Sequence, residues 1–228
     1  PNLFPLVNEC SGLNVDFYLV PTLLEIMTSR VRVEELGGIP VLKIKEVAIT
    51  GWNRVFKRAF DVCFSLLALL VLWPLLMIIG LAVRADSRGG VLFRQDRVGM
   101  DGREFVLLKF RTMAASAESG TGPVWAVRGD PRVTRVGKLL RRASLDELPQ
   151  LWNVLRGDMS LVGPRPERRY FVEQFRAKIP RYLERHRVKS GMTGWAQVHG
   201  LRGNVPIEDR TRYDLYYVEN WSLMLDIR

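Results

Sequence analysis

The sequence predicts a mixed α/β, helix-rich protein that is held at a membrane by one apolar helix. Residues 62–83 form a continuous apolar run, and residues 85–228 alternate short strand patterns with helical patterns. Residues 1–50 contain only two extended segments, at 14–21 and 36–41. Because two segments are too few to enclose a core, we expect residues 1–50 to be the end of a longer α/β unit.

The composition favours an anionic partner. Lys and Arg number 34 against 24 Asp and Glu, which gives a formal net charge of +10. Such a balance fits phosphorylated substrates, anionic lipid or nucleic acid. Cys10 and Cys63 are the only cysteines, so a disulfide framework is not expected and a reducing compartment fits. The sequence begins at Pro1 without a signal-peptide pattern, and we expect it to be a piece of a longer protein.

The apolar run has the length of a membrane helix. About 20 apolar residues of helix cross a hydrocarbon core, and a helix that is apolar on all faces is rare in a small soluble domain. Pro74 lies near the middle of residues 62–83 and should kink the helix. Basic residues flank the run on both sides, which favours two cytoplasmic ends: Lys57, Arg58, Arg84, Arg88, Arg94 and Arg97. From the residues alone, a re-entrant helix and a simple span are equally favoured.

Two adjacent carboxylates, Asp146 and Glu147, precede a predicted helix over residues 148–155. Neighbouring arginines should keep both pKa values low, so that the pair is ionised and available as a nucleophile or metal ligand. Ser144 and Glu147 also match a capping box, although Pro149 would then fall past the first turn. An N-cap at Asp146 avoids this conflict and places both carboxylates at the positive end of a helix, which attracts phosphate. The local sequence favours catalysis and capping equally.

Basic side chains cluster on both sides of the loop that precedes the acidic pair. Strands predicted at 91–93 and 105–108 are joined by a turn at Asp101-Gly102, and Arg97, Lys109 and Arg111 lie on or beside them. A second group directly precedes the pair: Arg132, Arg135, Lys138, Arg141 and Arg142. A solvated basic face is the common alternative, but clustering beside carboxylates favours a phosphate site.

A rigid turn adds one more cation. Arg165 stands between Pro164 and Pro166, and both prolines restrict the backbone around it. A pre-ordered guanidinium loses less entropy when it binds a phosphate. The sequence has no P-loop, and its two histidines are isolated, so zinc is not expected. A Mg²⁺ ion held by a carboxylate and substrate phosphates would suit the acidic pair.

These motifs, taken in order from about Asn53 to the end of the chain, resemble the bacterial sugar transferases, which are monotopic phosphoglycosyl transferases. The motifs that carry the resemblance are Lys57-Arg58-x-x-Asp61, Phe93-Arg94-Gln95, Lys109-Phe110-Arg111-Thr112-Met113, Asp130-Pro131-Arg132-Val133-Thr134, Asp146-Glu147-Leu148-Pro149-Gln150 and Gly163-Pro164-Arg165-Pro166. One such motif would be weak, but the ordered set is specific.

The resemblance implies transfer of a sugar-1-phosphate from a UDP-sugar to undecaprenyl phosphate, with release of UMP. Asp146 would be the nucleophile that forms a covalent phosphosugar intermediate. Glu147 would bind Mg²⁺, with Asp146 as a second ligand, or assist proton transfer. The substrate and phosphate contacts implied are Arg97, Lys109, Arg111, Arg132, Arg141, Gln150, Pro164 and Arg165. The membrane helix would be placed by Lys57, Arg58, Asp61 and Pro74.

The resemblance also implies a re-entrant helix region at 51–84, broken at Pro74, and a cytoplasmic catalytic domain at 85–228. The active site would face the cytoplasm at the bacterial inner membrane. Residues 1–50 would be the C-terminal part of a Rossmann-like domain. Smaller members have Ser-Pro at the break, where this chain has Trp73-Pro74.

The segment at 191–217 is similar to the branch that transfers glucose-1-phosphate, the first membrane step of exopolysaccharide, capsule or O-antigen synthesis. Galactose or an N-acetylhexosamine is the alternative sugar, and a homodimer stays open. A membrane-anchored basic binding or assembly module is the alternative from another class. The ordered acidic pair and the apolar run argue against nucleic acid as a partner.

Overall fold

The computed structural model describes residues 18–19, 33–36, 39–43, 47–114, 130–203 and 205–228. Before residue 47 it describes three short strands, β1 (Tyr18–Leu19), β2 (Val33–Leu36) and β3 (Ile39–Lys43). They pair antiparallel in the order β1-β3-β2. The two predicted extended segments are confirmed where they are described. The Rossmann-like assignment of residues 1–50 and the domain boundaries stay predictions.

Helix α1 (Gly51–Asp86) contains the whole predicted apolar run, with Pro74 inside it. Among the described residues it is the one helix long and apolar enough to cross a membrane. Its buried residues fall into two groups, Lys57, Asp61 and Ser65 near the start and Ile79 and Val83 near the end. The residues between these groups are exposed or half-buried.

A two-stranded hairpin follows α1. Strands β4 (Leu92–Val98) and β5 (Glu104–Phe110) pair antiparallel, with Leu92 opposite Phe110 and Val98 opposite Glu104. Asp101 (φ 55°) and Gly102 (φ 74°) lie in the connecting turn, as predicted. The strands are longer than the apolar segments from which they were predicted, because the polar residues Arg94–Arg97 also pair with β5.

The remaining chain is mainly helical. It contains six helices among the described residues: α2 (Arg135–Arg142), α3 (Gln150–Arg156), α4 (Arg169–Lys178), α5 (Trp195–Val198), α6 (Ile207–Asn220) and α7 (Leu223–Ile227). The 3₁₀ segments are Met100–Gly102, Leu145–Glu147 and Tyr182–Arg187. The segment 114–123 is rich in Ser, Gly and Ala, a composition that predicts a loop, and all of it except Ala114 lies outside the described residues.

Short parallel strands β6 (Ser160–Val162) and β7 (Gly191–Thr193) join the turn at Arg165 to α5. Glycine is required where these backbones meet. A Cβ on Gly191 would lie 2.1 Å from the nitrogen of Gly163, and a Cβ on Gly194 would lie 2.2 Å from the oxygen of Gly163. The close contact fixes the start of α5 against the backbone two residues before Arg165.

The core consists of several small apolar clusters. One packs α1 against the hairpin and α2 through Ile79, Val83, Phe110 and Leu140. Another packs β5 against α3 through Leu107, Val154 and Met159. The first cluster fixes the end of α1 beside the segment that carries the acidic pair, because Leu145 and Leu148 pack against it.

Candidate active site

A cavity of about 570 Å³ opens beside the acidic pair, which is a volume typical of small-molecule sites. The hairpin, the 3₁₀ turn at 145–147, the Arg165 turn and the segment between α5 and α6 line it. Eight charged residues singled out from the sequence meet there: Arg97, Lys109, Arg111, Arg132, Arg141, Asp146, Glu147 and Arg165. They come from segments up to 68 positions apart, between Arg97 and Arg165.

The acidic pair does not cap a helix. Ser144 adopts a left-handed backbone with φ 57° and makes no side-chain cap bond. Asp146 and Glu147 lie in the 3₁₀ turn Leu145–Glu147, and α3 begins only at Gln150, with Pro149 as its N-cap. The capping box and the N-cap at Asp146 were therefore both wrong. Pro149 accounts for this, because its ring and missing N–H are tolerated at a helix start and not inside a helix.

Two cations hold Glu147. Its Oε1 accepts from Lys109 Nζ at 2.8 Å and from Arg165 Nη2 at 2.6 Å, and its Oε2 accepts from Arg165 Nη1 at 3.3 Å. Burial alone would raise the pKa of Glu147, but Arg165 and Lys109 outweigh it and lower the pKa to about 2. Glu147 is therefore ionised at neutral pH and fixed in orientation.

Asp146 has a different environment from its neighbour. It is 8% exposed, and no ion pair of the described residues includes it. Burial raises its pKa and Glu147 adds to the rise, while Lys109 and Arg141 oppose it. The expected low pKa is thus correct for Glu147 and wrong for Asp146, because burial exceeds the effect of the cations there.

Arg97 is fixed by acceptors on both sides. Its Nη1 donates to the carbonyl of Pro166 at 3.0 Å and its Nη2 to Gln95 Oε1 at 2.6 Å. Burial lowers its pKa to about 10, partly offset by Glu167. The side chain therefore stays protonated at neutral pH and links the hairpin to the Arg165 turn.

Arg111 binds the backbone just after α1. Its Nη1 and Nη2 donate to the carbonyls of Arg88 and Ser87, each at 2.7 Å. Although Arg111 lines the cavity, both terminal nitrogens hold the chain just after α1. The structure thus gives it a positioning contact, and its predicted phosphate contact stays a prediction.

Two further cavity cations, Arg132 and Arg141, are also oriented. Arg132 forms a paired contact with Asp130, at 2.6 Å between Nη2 and Oδ2, and hydrogen bonds from Arg132 lower the pKa of Asp130 to about 2. Arg141 donates from Nε to Thr112 Oγ1 at 2.8 Å. A fixed array of cations suits a ligand that carries several negative charges.

Two of the expected contact residues do not line the cavity. Gln150 is buried at the start of α3, and Pro164 is buried with its carbonyl accepting from the Gly191 amide at 2.9 Å. Neither belongs to the residues that line the cavity among those described. Gln150 and Pro164 lie in the segments that carry Glu147 and Arg165.

The residues expected to place the membrane helix attach its first third to the domain. Arg58 donates to the carbonyls of Val154 and Leu155 at 2.6 and 2.8 Å. Asp61 accepts from Ser160 Oγ and from the Leu161 amide, both at 3.0 Å. Lys57 pairs with Asp226 at 2.7 Å and with Asp61 at 3.4 Å. Pro74 lies within α1 and away from these contacts.

The sequence did not reveal a buried ionic group behind Arg165. Arg185 pairs with Asp214 at 2.7 Å and donates to the Arg165 carbonyl at 2.9 Å. Arg210 pairs with Glu167 at 3.0 Å. These partners are far apart in sequence and have no local pattern. Gln197 and Arg202 also line the cavity. Both lie in the segment at 191–217 that resembles the glucose branch, but neither was predicted as a site residue.

The acidic pair can accommodate a magnesium ion. Among the described residues there is no group of three or more His, Cys, Asp or Glu that could hold a metal, but Mg²⁺ needs only one or two carboxylates when substrate phosphates complete its shell. Each carboxylate oxygen carries two lone pairs, so the contacts of Glu147 with Lys109 and Arg165 leave capacity. Asp146 and Glu147 therefore fit a Mg²⁺ ion that is shared with a diphosphate.

Comparisons with known proteins match nearly the whole chain. It is 43% identical over 227 residues to the UDP-glucose:undecaprenyl-phosphate glucose-1-phosphate transferase of Escherichia coli (strain K12), which covers 98% of the chain and 49% of that relative. It is 40% identical over 224 residues to the UDP-N-acetylgalactosamine-undecaprenyl-phosphate N-acetylgalactosaminephosphotransferase of Aeromonas hydrophila, which covers 96% of the chain and 51% of the relative. The chain thus spans about half the length of these relatives.

A shorter relative is matched over most of its own length. The chain is 46% identical over 181 residues to the exopolysaccharide production protein PSS of Rhizobium leguminosarum bv. phaseoli, which covers 76% of the chain and 90% of the relative. The family model described as bacterial sugar transferase matches residues 52–228, from the start of α1 through the whole cavity. The chain therefore belongs to the bacterial sugar transferase family.

Proposed function

We propose that this chain transfers a sugar-1-phosphate from a UDP-sugar to undecaprenyl phosphate through a covalent aspartyl intermediate, with release of UMP. The observation that carries the proposal is Asp146, a buried carboxylate without an ion pair at the wall of a cavity lined by cations. The names of the relatives support the substrate classes.

The first step is a displacement at phosphorus. Asp146 Oδ attacks the β-phosphorus of the UDP-sugar, and the bond from that phosphorus to the bridging oxygen breaks. UMP leaves with the bonding electrons, and the sugar phosphate is now joined to Asp146. Arg97, Lys109 and Arg165 lie where they can offset the charge that develops on the phosphoryl oxygens.

The second step restores the enzyme. An oxygen of undecaprenyl phosphate attacks the same phosphorus, the acyl phosphate bond breaks, and Asp146 is released as a carboxylate. The product is undecaprenyl diphosphate sugar. A covalent intermediate divides one difficult displacement into two easier ones. Mg²⁺, held by Asp146 or Glu147 with the substrate phosphates, would neutralise charge on the diphosphate.

The same proposal places α1 as a re-entrant helix on the cytoplasmic face of the inner membrane. Asp61 and Ile79 are about 27 Å apart along a straight helix axis, which approaches the roughly 30 Å of a hydrocarbon core. Both are nevertheless buried against the domain that holds the cavity. Exposed apolar side chains lie between them, among them Leu70, Val71 and Trp73. This pattern supports a helix that enters and leaves the lipid by the same face.

Glucose-1-phosphate is the group that we propose is transferred, with galactose or an N-acetylhexosamine as the alternative. Five relatives, among them the Escherichia coli protein, are named for glucose, the Aeromonas relative for N-acetylgalactosamine, and a further relative for galactose. The pathway proposed is the synthesis of an exopolysaccharide, capsule or O-antigen, and the name of the Rhizobium relative supports it. Membrane lipids are further partners, and a homodimer stays a prediction.

The test is Asp146→Asn in membranes or nanodiscs with UDP-glucose and undecaprenyl phosphate. We expect UMP release to fall at least about a thousandfold, since loss of a covalent nucleophile costs this much or more. The wild-type chain, stopped early without lipid acceptor, should carry one hexose phosphate on the peptide that contains Asp146. Asp209→Asn, on an exposed helix face, is the matched control and should keep full activity. Full activity of Asp146→Asn would exclude the covalent mechanism.

A further inference from the structure

A second concave surface, which we call the α1 groove, lies on the first third of α1. Its volume is about 630 Å³, and its wall is almost entirely apolar. None of the residues that line it lines the cavity at Asp146, so the two surfaces are separate. The described residues of the α1 groove all belong to α1: Arg54, Val55, Arg58, Ala59, Val62 and Cys63.

The α1 groove has a cationic end and an apolar end. Arg54, Arg58 and Val62 are four residues apart in turn, so they follow one another along one face of the helix. Arg54 and Cys63 are about 14 Å apart along the helix axis. Because Val62 and Cys63 begin the apolar run, the groove leads from charged side chains into the segment that is apolar enough for a membrane.

Lys189 adds a third cation beside the charged end of the α1 groove. It lies next to Arg58 at Gly157, the residue that ends α3. A Cβ placed on Gly157 would be 3.3 Å from Arg58 Nη2 and 3.5 Å from Lys189 Nζ. Lys189 is half-buried and forms no ion pair with any residue in the part of the chain that the structure describes. Its ammonium is therefore available to an anion from outside the chain.

The three cations are close enough to repel one another. Burial lowers the pKa of Lys189, and the charges of Arg58 and Arg54 lower it further. Asp61 and Asp158 oppose this shift, but each already pairs with another cation, at 3.4 and 3.5 Å. Arg58 is fixed by its bonds to the end of α3, and a guanidinium has more N–H donors than these two bonds use. An anion among the three side chains would relieve the repulsion and accept hydrogen bonds from them.

We propose that the α1 groove binds one anionic phospholipid of the phosphatidylglycerol type, with its phosphate between Arg54, Arg58 and Lys189 and an acyl chain along Val62 and Cys63. Inorganic phosphate has no part that could cover the apolar wall. A choline headgroup would bring its own cation to a place that already holds three, whereas a glycerol headgroup adds none. Anionic lipids of the cytoplasmic leaflet are attracted to basic residues at this depth.

The lipid site is separate from the proposed reaction. Arg58 binds the carbonyls of Val154 and Leu155 at the end of α3, whereas Asp146 lies before the start of α3. A lipid in the α1 groove can therefore stay bound while substrates exchange in the cavity. The site requires that α1 lie in a membrane, and it is independent of the chemistry proposed for Asp146.

Native mass spectrometry of the chain in detergent micelles measures this binding. We expect wild type to bind one dioleoylphosphatidylglycerol at least about tenfold more tightly than dioleoylphosphatidylcholine, since each basic residue near the surface attracts an anionic lipid. Arg54→Gln/Lys189→Gln should remove this preference, and it leaves the bonds of Arg58 to α3 in place. The exchange variant Arg54→Lys/Lys189→Arg keeps both charges and should keep the preference.

The matched control removes the same charge at the other end of α1. Arg84→Gln/Arg88→Gln changes two exposed residues there and should keep the preference for phosphatidylglycerol. An equal loss in this control, or equal binding of both phospholipids by wild type, would show only general attraction to a basic surface. Displacement of phosphatidylglycerol by inorganic phosphate would assign the cations to a free anion, and displacement by a lower concentration of undecaprenyl phosphate would assign the groove to the lipid acceptor. Each of these results overturns the phospholipid site.

Discussion

Asp146 and Glu147 are adjacent in sequence, but their surroundings shift their pKa values in opposite directions. Burial raises the pKa of Asp146, and Glu147 adds to that rise. Lys109 and Arg165 overcome burial at Glu147 and lower its pKa to about 2. Glu147 is therefore fixed by cations, while Asp146 has no ion pair among the described residues and is the nucleophile of our proposal, so that a pair of like groups divides into two roles.

This division predicts a shifted pH dependence of covalent intermediate formation. The acid limb of the pH–rate profile should report the ionisation of Asp146. Its midpoint should lie above the ordinary aspartate pKa of about 3.9. Glu147→Gln removes a negative charge that raises the pKa of Asp146, so the limb should move to lower pH. Lys109→Met removes a charge that lowers it, so the limb should move to higher pH. Rapid-quench measurement of UMP release across pH would check both directions.

The two variants serve as each other's control, because both should reduce the rate: Lys109→Met removes a cavity cation, and Glu147→Gln removes the charge that orients Lys109 and Arg165. Rates that fall without any movement of the limb would contradict the electrostatic coupling of Asp146 to its neighbours. Movement of both limbs in one direction would contradict it as well.

At the scale of single residues, the sequence predicted which charged residues lie together but not the direction in which the pKa of each is shifted. Clusters of arginine and lysine beside carboxylates indicated the cavity correctly for residues such as Arg97 and Lys109. The pKa of Asp146 was not predictable, because burial depends on packing that no local pattern records. Gln197 was not predicted as a site residue either, because the cavity that it lines brings it together with Arg165 and Arg97, which are 32 and 100 positions away.

Among the elements, α1 and α7 are joined by one buried cation. Lys57 pairs with Asp226, whose side chain is 0% exposed, and with Asp61, which is 2% exposed. Asp226 also accepts from Tyr217 Oη at 2.8 Å and from Trp221 Nε1 at 3.1 Å. The first third of the membrane helix is therefore attached to the last helices of the chain through a closed polar network.

We predict that Lys57→Met lowers the free energy of unfolding by about 3–5 kcal/mol, because it leaves two buried carboxylates without their shared cation. The double variant Lys57→Met/Asp226→Asn should recover part of this loss, since one of those charges is then gone. Chemical denaturation in detergent micelles measures both. Lys178→Met, on an exposed position of α4, is the matched control, and a loss as large there would contradict a specific role for Lys57.

The elements themselves were predictable to different degrees. The spacing and length of the apolar segments predicted α1 and the hairpin. The polar half of β4 was missed, because its conformation depends on the residues of β5 with which it pairs. The start of α3 was predicted too early, because the 3₁₀ turn at 145–147 mimics a helical first turn in sequence. Pro149 was the correct signal, and it marked the N-cap rather than a position inside the helix.

Taken as a whole, the molecule has an apolar side, formed by the exposed face of α1, and a cavity side. Exposed apolar residues on α1, such as Trp52, Leu70 and Leu81, have no counterpart in a protein that is surrounded by water. The helix would be about 54 Å long if straight, while both of its buried ends contact the polar domain. Its two flanks should therefore lie on the same side of the membrane.

We predict that single cysteines at Arg54→Cys and Arg88→Cys, in a Cys10→Ser/Cys63→Ser background, react with a membrane-impermeant maleimide from the same side. Labelling should occur in inverted inner-membrane vesicles and not in right-side-out vesicles, because both flanks belong to the cytoplasmic domain. A chain with Cys63 alone should react only after detergent is added, since that thiol is exposed on the protein but would be covered by lipid. Labelling of the two flanks from opposite sides would show that α1 spans the membrane, and the cavity would then have to receive its lipid acceptor by another route.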